Sequence, residues 1–256
     1  MTPTNPDIDF GPAAHVRSAV GAPTVMMVCE HASNRIPQDM DDLGLSEAAR
    51  QSHIAWDPGA ACLAQAVADS LDAVLVLGGV SRLVYDCNRA PEAVDAVPER
   101  SEVVFIPGNR SLSPADRAQR VTAVYAPFRA ALQDRIARHR STLKWLITIH
   151  SFNPIYNGQT REVEIGVLHG RDDRFATAMM QSLAPDFPFI VRLNQPYAAA
   201  DGVAHTLDLH GAGNALPNVM LEVRNDLIAD TARQRAMARR LVPWINAAQS
   251  RLEAHA

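Results

Sequence analysis

Three short runs place ionisable side chains where apolar stretches end. Glu30-His31 follows the run 24–29, His150-Ser151 follows 144–149, and Glu222 lies within 219–223, ahead of Arg224-Asn225. Each is weak alone, because a single histidine after a strand is usually a hydrogen-bonded structural residue. Two histidines at the ends of separate strands, with a glutamate at a third, point to a shared site, since the carboxyl ends of neighbouring parallel strands converge on one crevice. Imidazole and carboxylate suit a hydrolytic metal centre, which uses three protein ligands and an open position for water. Glu222 is the sharpest residue, because a carboxylate inside an otherwise apolar strand is costly unless it is paired or at work. It fits the general base of metal-assisted hydrolysis; the alternative is a salt bridge to Arg82 or Arg224. A fourth group, Arg82, Asp86, Asn88 and Arg89, is expected after a further short strand over 81–86.

The elements that must position these residues alternate. Short apolar, β-branched runs predict buried strands over 24–29, 73–77, 144–149, 162–169, 189–193 and 219–223. Helices are expected from Ser46 to just before Trp56, over 60–71, over 113–140 with a kink near Pro127, over 171–183, and over 231–253. Ser113-Pro114-Ala115-Asp116 is a strong helix start, with an N-cap serine, proline at the first helical position and an early acid. The stretch 90–111 reads as a long surface loop, and residues 1–22 as an irregular leader before a single domain over 23–256. Strand and helix alternation predicts a three-layer α/β/α sandwich around a mixed, mostly parallel sheet.

Composition removes several classes. The chain has 256 residues, 47% hydrophobic and 20% charged, with a net charge of -4, enough for one sizeable core and no basic face for nucleic acid. Its cations are almost all arginine, with Lys144 the only lysine, which reads as compositional bias. Three cysteines at no metal-like spacing argue against a disulfide scaffold. No signal peptide and no membrane-length apolar run are visible, so a cytoplasmic location without a membrane partner is expected. No Gly-x-Ser-x-Gly elbow surrounds Ser151, which disfavours a serine hydrolase.

Seven ordered segments carry a family resemblance. They are 28–37 (VCEHASNRIP), 53–60 (HIAWDPGA), 81–89 (SRLVYDCNR), 148–152 (TIHSF, with His150), 164–168 (EIGVL), 201–206 (DGVAHT) and 216–226 (LPNVMLEVRND). In that order they resemble the N-formylglutamate amidohydrolase family, itself distantly similar to the zinc carboxypeptidases and of a phosphorylase/hydrolase-like fold. The resemblance implies a divalent metal, Zn2+, with His31 and His150 as ligands and Glu222 as catalytic glutamate. It implies that Asn88-Arg89, with Arg82 and Arg224, binds the carboxylate of an acyl amino acid, since a fixed guanidinium grips a carboxylate bidentately. The peptidases supply another ligand as a glutamate three residues after the first histidine, where this chain has Asn34. Asp57, in the Trp56-Asp57-Pro58-Gly59 turn, is the favoured replacement; Glu30 is the alternative ligand and His53 a further candidate. Asp57 reads equally well as a turn-former or helix cap.

His205 is expected to position substrate or stabilise the oxyanion; His210 reads as an ordinary loop histidine, and His139, His169 and His255 as structural or exposed. The implied reaction is hydrolysis of an N-acyl amino acid, with N-formyl-L-glutamate giving formate and L-glutamate as the named substrate. The family's histidine-degrading deformylases open on His-Ser-Gly, whereas this chain has His31-Ala32-Ser33-Asn34, a sister pattern. That leaves another amide, or a non-catalytic small-molecule-binding relative, as alternatives.

Overall fold

The apolar runs become a seven-stranded sheet in the computed structural model, which describes residues 8–254. The strands are β1 (Ala14–Arg17), β2 (Val25–Cys29), β3 (Val74–Gly78), β4 (Trp145–Phe152), β5 (Ile165–Leu168), β6 (Val191–Leu193) and β7 (Asn218–Arg224). Their order across the sheet is β1-β3-β2-β4-β7-β5-β6. Four neighbours, β3, β2, β4 and β7, run parallel. β1 is antiparallel to β3, and β5 is antiparallel to β7 with β6 parallel to β5.

Helices cover both faces, as the unbroken apolar strands require. Val25, Met27 and Cys29 join one core with α2 (Ala60–Leu71), α5 (Arg174–Gln181) and α6 (Thr231–Glu253). Met26 and Val28 face the other core, with α4 (Ala126–Arg138). This is the three-layer α/β/α sandwich expected. The short α1 (Glu47–Gln51) and α3 (Pro114–Arg120) lie outside these layers in sequence. Ser113 caps α3 with its side chain, and Asp116 completes the reciprocal box. The kink expected near Pro127 is a π-helical turn over Val121–Tyr125. Proline clashes with the carbonyl four residues earlier, and a widened turn relieves that clash.

Three expectations need correction. The leader is not wholly irregular: β1 forms the antiparallel edge of the sheet, while residues 1–7 lie outside the described residues, as does His255. No strand forms over 81–86, where turns carry the chain instead, with Ser81 Oγ donating to Ala55 O at 2.7 Å. The stretch 90–111 is more than surface loop. It holds a two-stranded hairpin, Arg100–Ser101 with Val104–Phe105, and it buries Ala96, Val97 and Ile106. Among the described residues, no helix is long and apolar enough to cross a membrane.

Candidate active site

The parallel strands end on one side of the sheet, and register does the positioning. Glu222 on β7 pairs with His150 on β4, so their side chains emerge side by side. β2 ends at Cys29 next to β4, which delivers Glu30 and His31 to the same place. Asp57 arrives from the turn before α2: its N–H donates to His31 O at 2.9 Å, and its own carbonyl accepts from Ala60 N. Gly59 makes that turn possible. It has a φ of 82°, and a Cβ there would stand 2.5 Å from Ile228 O. Gly78 on β3 is equally constrained, because a Cβ there would lie 1.9 Å from Glu30 O.

Three donor atoms meet at this point. His150 Nδ1 lies 3.2 Å from His31 Nδ1 and 2.9 Å from Asp57 Oδ2, and His31 Nδ1 lies 3.3 Å from that same oxygen. The opposite nitrogen of each ring faces a carboxylate: His31 Nε2 is 2.7 Å from Asp86 Oδ1, and His150 Nε2 is 3.1 Å from Glu30 Oε2. Carboxylates behind the rings orient them and favour protons on the Nε2 atoms. Once the Nδ1 protons are displaced, two lone pairs and a carboxylate oxygen face one point that a cation can fill. Tetrahedral zinc ligands at ordinary bond lengths stand about 3.4 Å apart, close to these separations. The residues therefore fit a divalent metal. His31, Asp57 and His150 are the group of this kind among the described residues, and all three are buried.

Electrostatics follow from burial. Burial raises the Asp57 carboxyl, but His31 and His150 outweigh it and hold Asp57 well below the usual carboxylate range. Asp86 is likewise held well below it, against burial, by His31 and Arg82. Glu222 is the exception. Only 5% exposed, and with no hydrogen bond at Oε2, it is pushed up to about 7, chiefly by burial.

The site opens into a polar cleft of about 640 Å³, lined among others by Glu222, Arg82, Arg161, Tyr156 and Tyr197. Arg82 donates to Asp86 Oδ2 at 2.9 Å and lies 3.4 Å from Asp57 Oδ1. It is thus a cleft residue, as expected, and not a partner of Glu222. Other predicted residues have their own partners. Asn88 donates to Val203 O at 2.6 Å and accepts from Thr206 N at 3.0 Å, so both ends of its amide are taken. Arg89 donates to Asp95 and to the carbonyls of Gly202 and Asp201. The Asn-Arg pair ties the 201–206 loop to the cleft wall, and both residues line the cleft. Arg224 faces Glu164 and Asp226 and does not line the cleft. His205 does not line it either; its Nε2 lies 2.8 Å from Tyr125 OH. Glu30 stands behind His150, in place of the alternative-ligand position. His53 lines the cleft, but its ring meets Glu102 and Asn153.

Two residues escaped the sequence reading. Asp86 was grouped with the arginines, but its part as the carboxylate behind His31 depends on a contact 55 positions away. Arg161 was not singled out. The available signal was Asn157-Gly158, a strong two-residue hairpin turn; it joins Ile155–Tyr156 to Gln159–Thr160 and sets Tyr156 and Arg161 on the cleft wall.

Comparison with known proteins gives the family. The family model for N-formylglutamate amidohydrolase matches residues 23–229. The chain belongs to the N-formylglutamate amidohydrolase family. A gene product of Agrobacterium tumefaciens is 46% identical, with a TM-score of 0.92 over 95% of this chain and 97% of that one. An N-formylglutamate amidohydrolase from Ralstonia eutropha JMP134 has a TM-score of 0.64 over 93% of this chain and 99% of that one; at 14% identity the likeness is one of fold. No curated protein matches. Membership makes the chain an amide hydrolase.

Proposed function

We propose that this chain is a zinc-dependent hydrolase of N-acyl amino acids, with N-formyl-L-glutamate as substrate and formate and L-glutamate as products. The observation that carries the reading is the facing of His31 Nδ1, His150 Nδ1 and Asp57 Oδ2, with a carboxylate behind each imidazole. A divalent metal held there supplies Lewis-acid stabilisation of charge on the amide oxygen and makes a water acidic enough to attack near neutrality.

The chain's own residues supply the rest. Glu222 emerges beside His150, and burial sets its proton affinity near neutrality, which suits a group that must both take and give a proton. It takes the proton of the attacking water and passes it to the amine nitrogen as the C–N bond breaks. Arg82, fixed by Asp86 and Asp57, keeps donors for the substrate's α-carboxylate, one carbon from the scissile nitrogen. The three cysteines are free, which suits a reducing, cytoplasmic setting.

The test pairs two variants, each measured for zinc content and for release of amine from N-formyl-L-glutamate. His150→Ala should lose metal and turnover together. Glu222→Gln should keep the metal and lose about 10²- to 10⁴-fold in kcat. Retained turnover in Glu222→Gln removes Glu222 from the reaction, and full metal content in His150→Ala removes the proposed ligand set.

A further inference from the structure

Of the cleft arginines, Arg82 and Arg89 each have a carboxylate partner; Arg100, exposed on the 100–105 hairpin, donates to Glu102 O, and Arg161 has no carboxylate partner among the described residues. It is nonetheless rigidly placed. Its guanidinium carbon lies 4.4 Å from the centre of the Tyr156 ring, 4.9 Å from Tyr197 and 5.5 Å from Phe152. Nη1 donates to Tyr197 OH at 3.0 Å and approaches Asn153 O at 3.4 Å. No hydrogen bond from the described residues occupies Nε or Nη2, so one edge of the fork remains for a ligand. A guanidinium held between aromatic faces keeps its plane and offers that edge to a planar anion.

We infer that Arg161 reads a second carboxylate, at the end of the substrate's side chain, and so sets this site for acyl derivatives of acidic amino acids. The inference rests on the acyl-amino-acid reading above and assigns the residue that selects the amino acid. Arg82 contacts the carboxylates that surround His31, so its anion must lie next to the reacting bond. Arg161 contacts none of those residues; its neighbours come from the end of β4, the 155–160 hairpin and the loop after β6. An anion on Arg161 therefore belongs to a part of the substrate other than the one Arg82 holds. Tyr197 reinforces the assignment. Burial and the nearby Glu222 push its hydroxyl up to about 12, so it stays protonated, accepts from Arg161 and keeps its own hydrogen to donate.

The experiment compares wild type, Arg161→Met and Arg161→Lys, all zinc-loaded, on N-formyl-L-glutamate and N-formyl-L-glutamine, with glutarate and its monoamide titrated calorimetrically in parallel. In Arg161→Met, kcat/KM for the glutamate substrate should fall about tenfold to a hundredfold, mainly through KM, with the glutamine substrate unchanged. Arg161→Lys should recover part of the loss, since it restores charge without the fork. The titrations should show glutarate favoured over its monoamide in wild type and no preference in Arg161→Met. Equal discrimination in wild type and Arg161→Met, by turnover or by titration, overturns the inference. If no acyl amino acid is hydrolysed, the function proposed above fails, and the titrations alone decide the role of Arg161.

Discussion

Two pairs of buried or half-buried histidines differ in what stands behind them. His31 and His150, at the strand ends, each have a carboxylate on the far nitrogen; His205 and His210, in the segment after Asp201, have a tyrosine hydroxyl or nothing ionised. Burial lowers the proton affinity of all four. At His31, Asp86 and Asp57 reverse that effect even against Arg82, and at His150 Glu30 and Asp57 reverse it. At His205 burial wins, and at His210 burial with His205 beside it brings the value down to about 4. What sets the candidate ligands apart is a carboxylate that fixes the ring and its proton, more than nearness to a strand end.

Breaking that contrast starts at the donor group. Asp57→Ala should abolish both zinc retention and turnover, whereas His205→Ala, whose ring meets Tyr125 and not the donor group, should keep its zinc; elemental analysis and an amine-release assay decide it. Asp86→Asn comes next, with zinc affinity down about 10- to 100-fold while the protein stays folded. An unchanged affinity would mean the backing carboxylate is dispensable. A smaller effect concerns pH. The strand-end histidines hold protons more tightly than free imidazole, so zinc must displace them. Binding near neutrality should release protons, and affinity should weaken as pH falls, both visible by calorimetry in buffers of different ionisation enthalpy.

The smallest effect lies in the other pair. His210, buried and held neutral, resists a proton that the unfolded chain accepts near pH 6.5. Its folded value is depressed, so the stability it preserves above pH 6.5 is lost as pH falls toward about 4. Glu222, raised to about 7, has the opposite sign in both proteins, so the denaturant midpoint of metal-free wild type should lose ground to that of His210→Gln as pH falls through this window.

Much of the frame is readable because it is local. β2, α2 and α6 fall where apolar periodicity puts them, and the strand ends name His31, His150 and Glu222. Asp57 is readable only as one option, since a Trp-Asp-Pro-Gly turn makes a helix cap and a ligand from the same residue. The arginines are the least legible. Arg89 and Arg224 look like anion grips, but their carboxylate and carbonyl partners arrive from loops whose paths no periodicity encodes. Arg161 looks like any other arginine of an arginine-rich chain until three aromatic rings from separate segments close around it. β1 is illegible for a related reason: an edge strand of four residues, half-exposed, carries no core pattern of its own.

Gly78 has a consequence for how such a site can be inherited. It has no reactive atom and lies on a strand that contributes no donor, yet one added methyl group would meet the carbonyl of Glu30, the residue behind His150. Lineages that drift at this position would displace Glu30, and with it the support of the His150 ring, before any donor residue changed. A survey of sequence variants that watches only the histidines and carboxylates would count those lineages as intact.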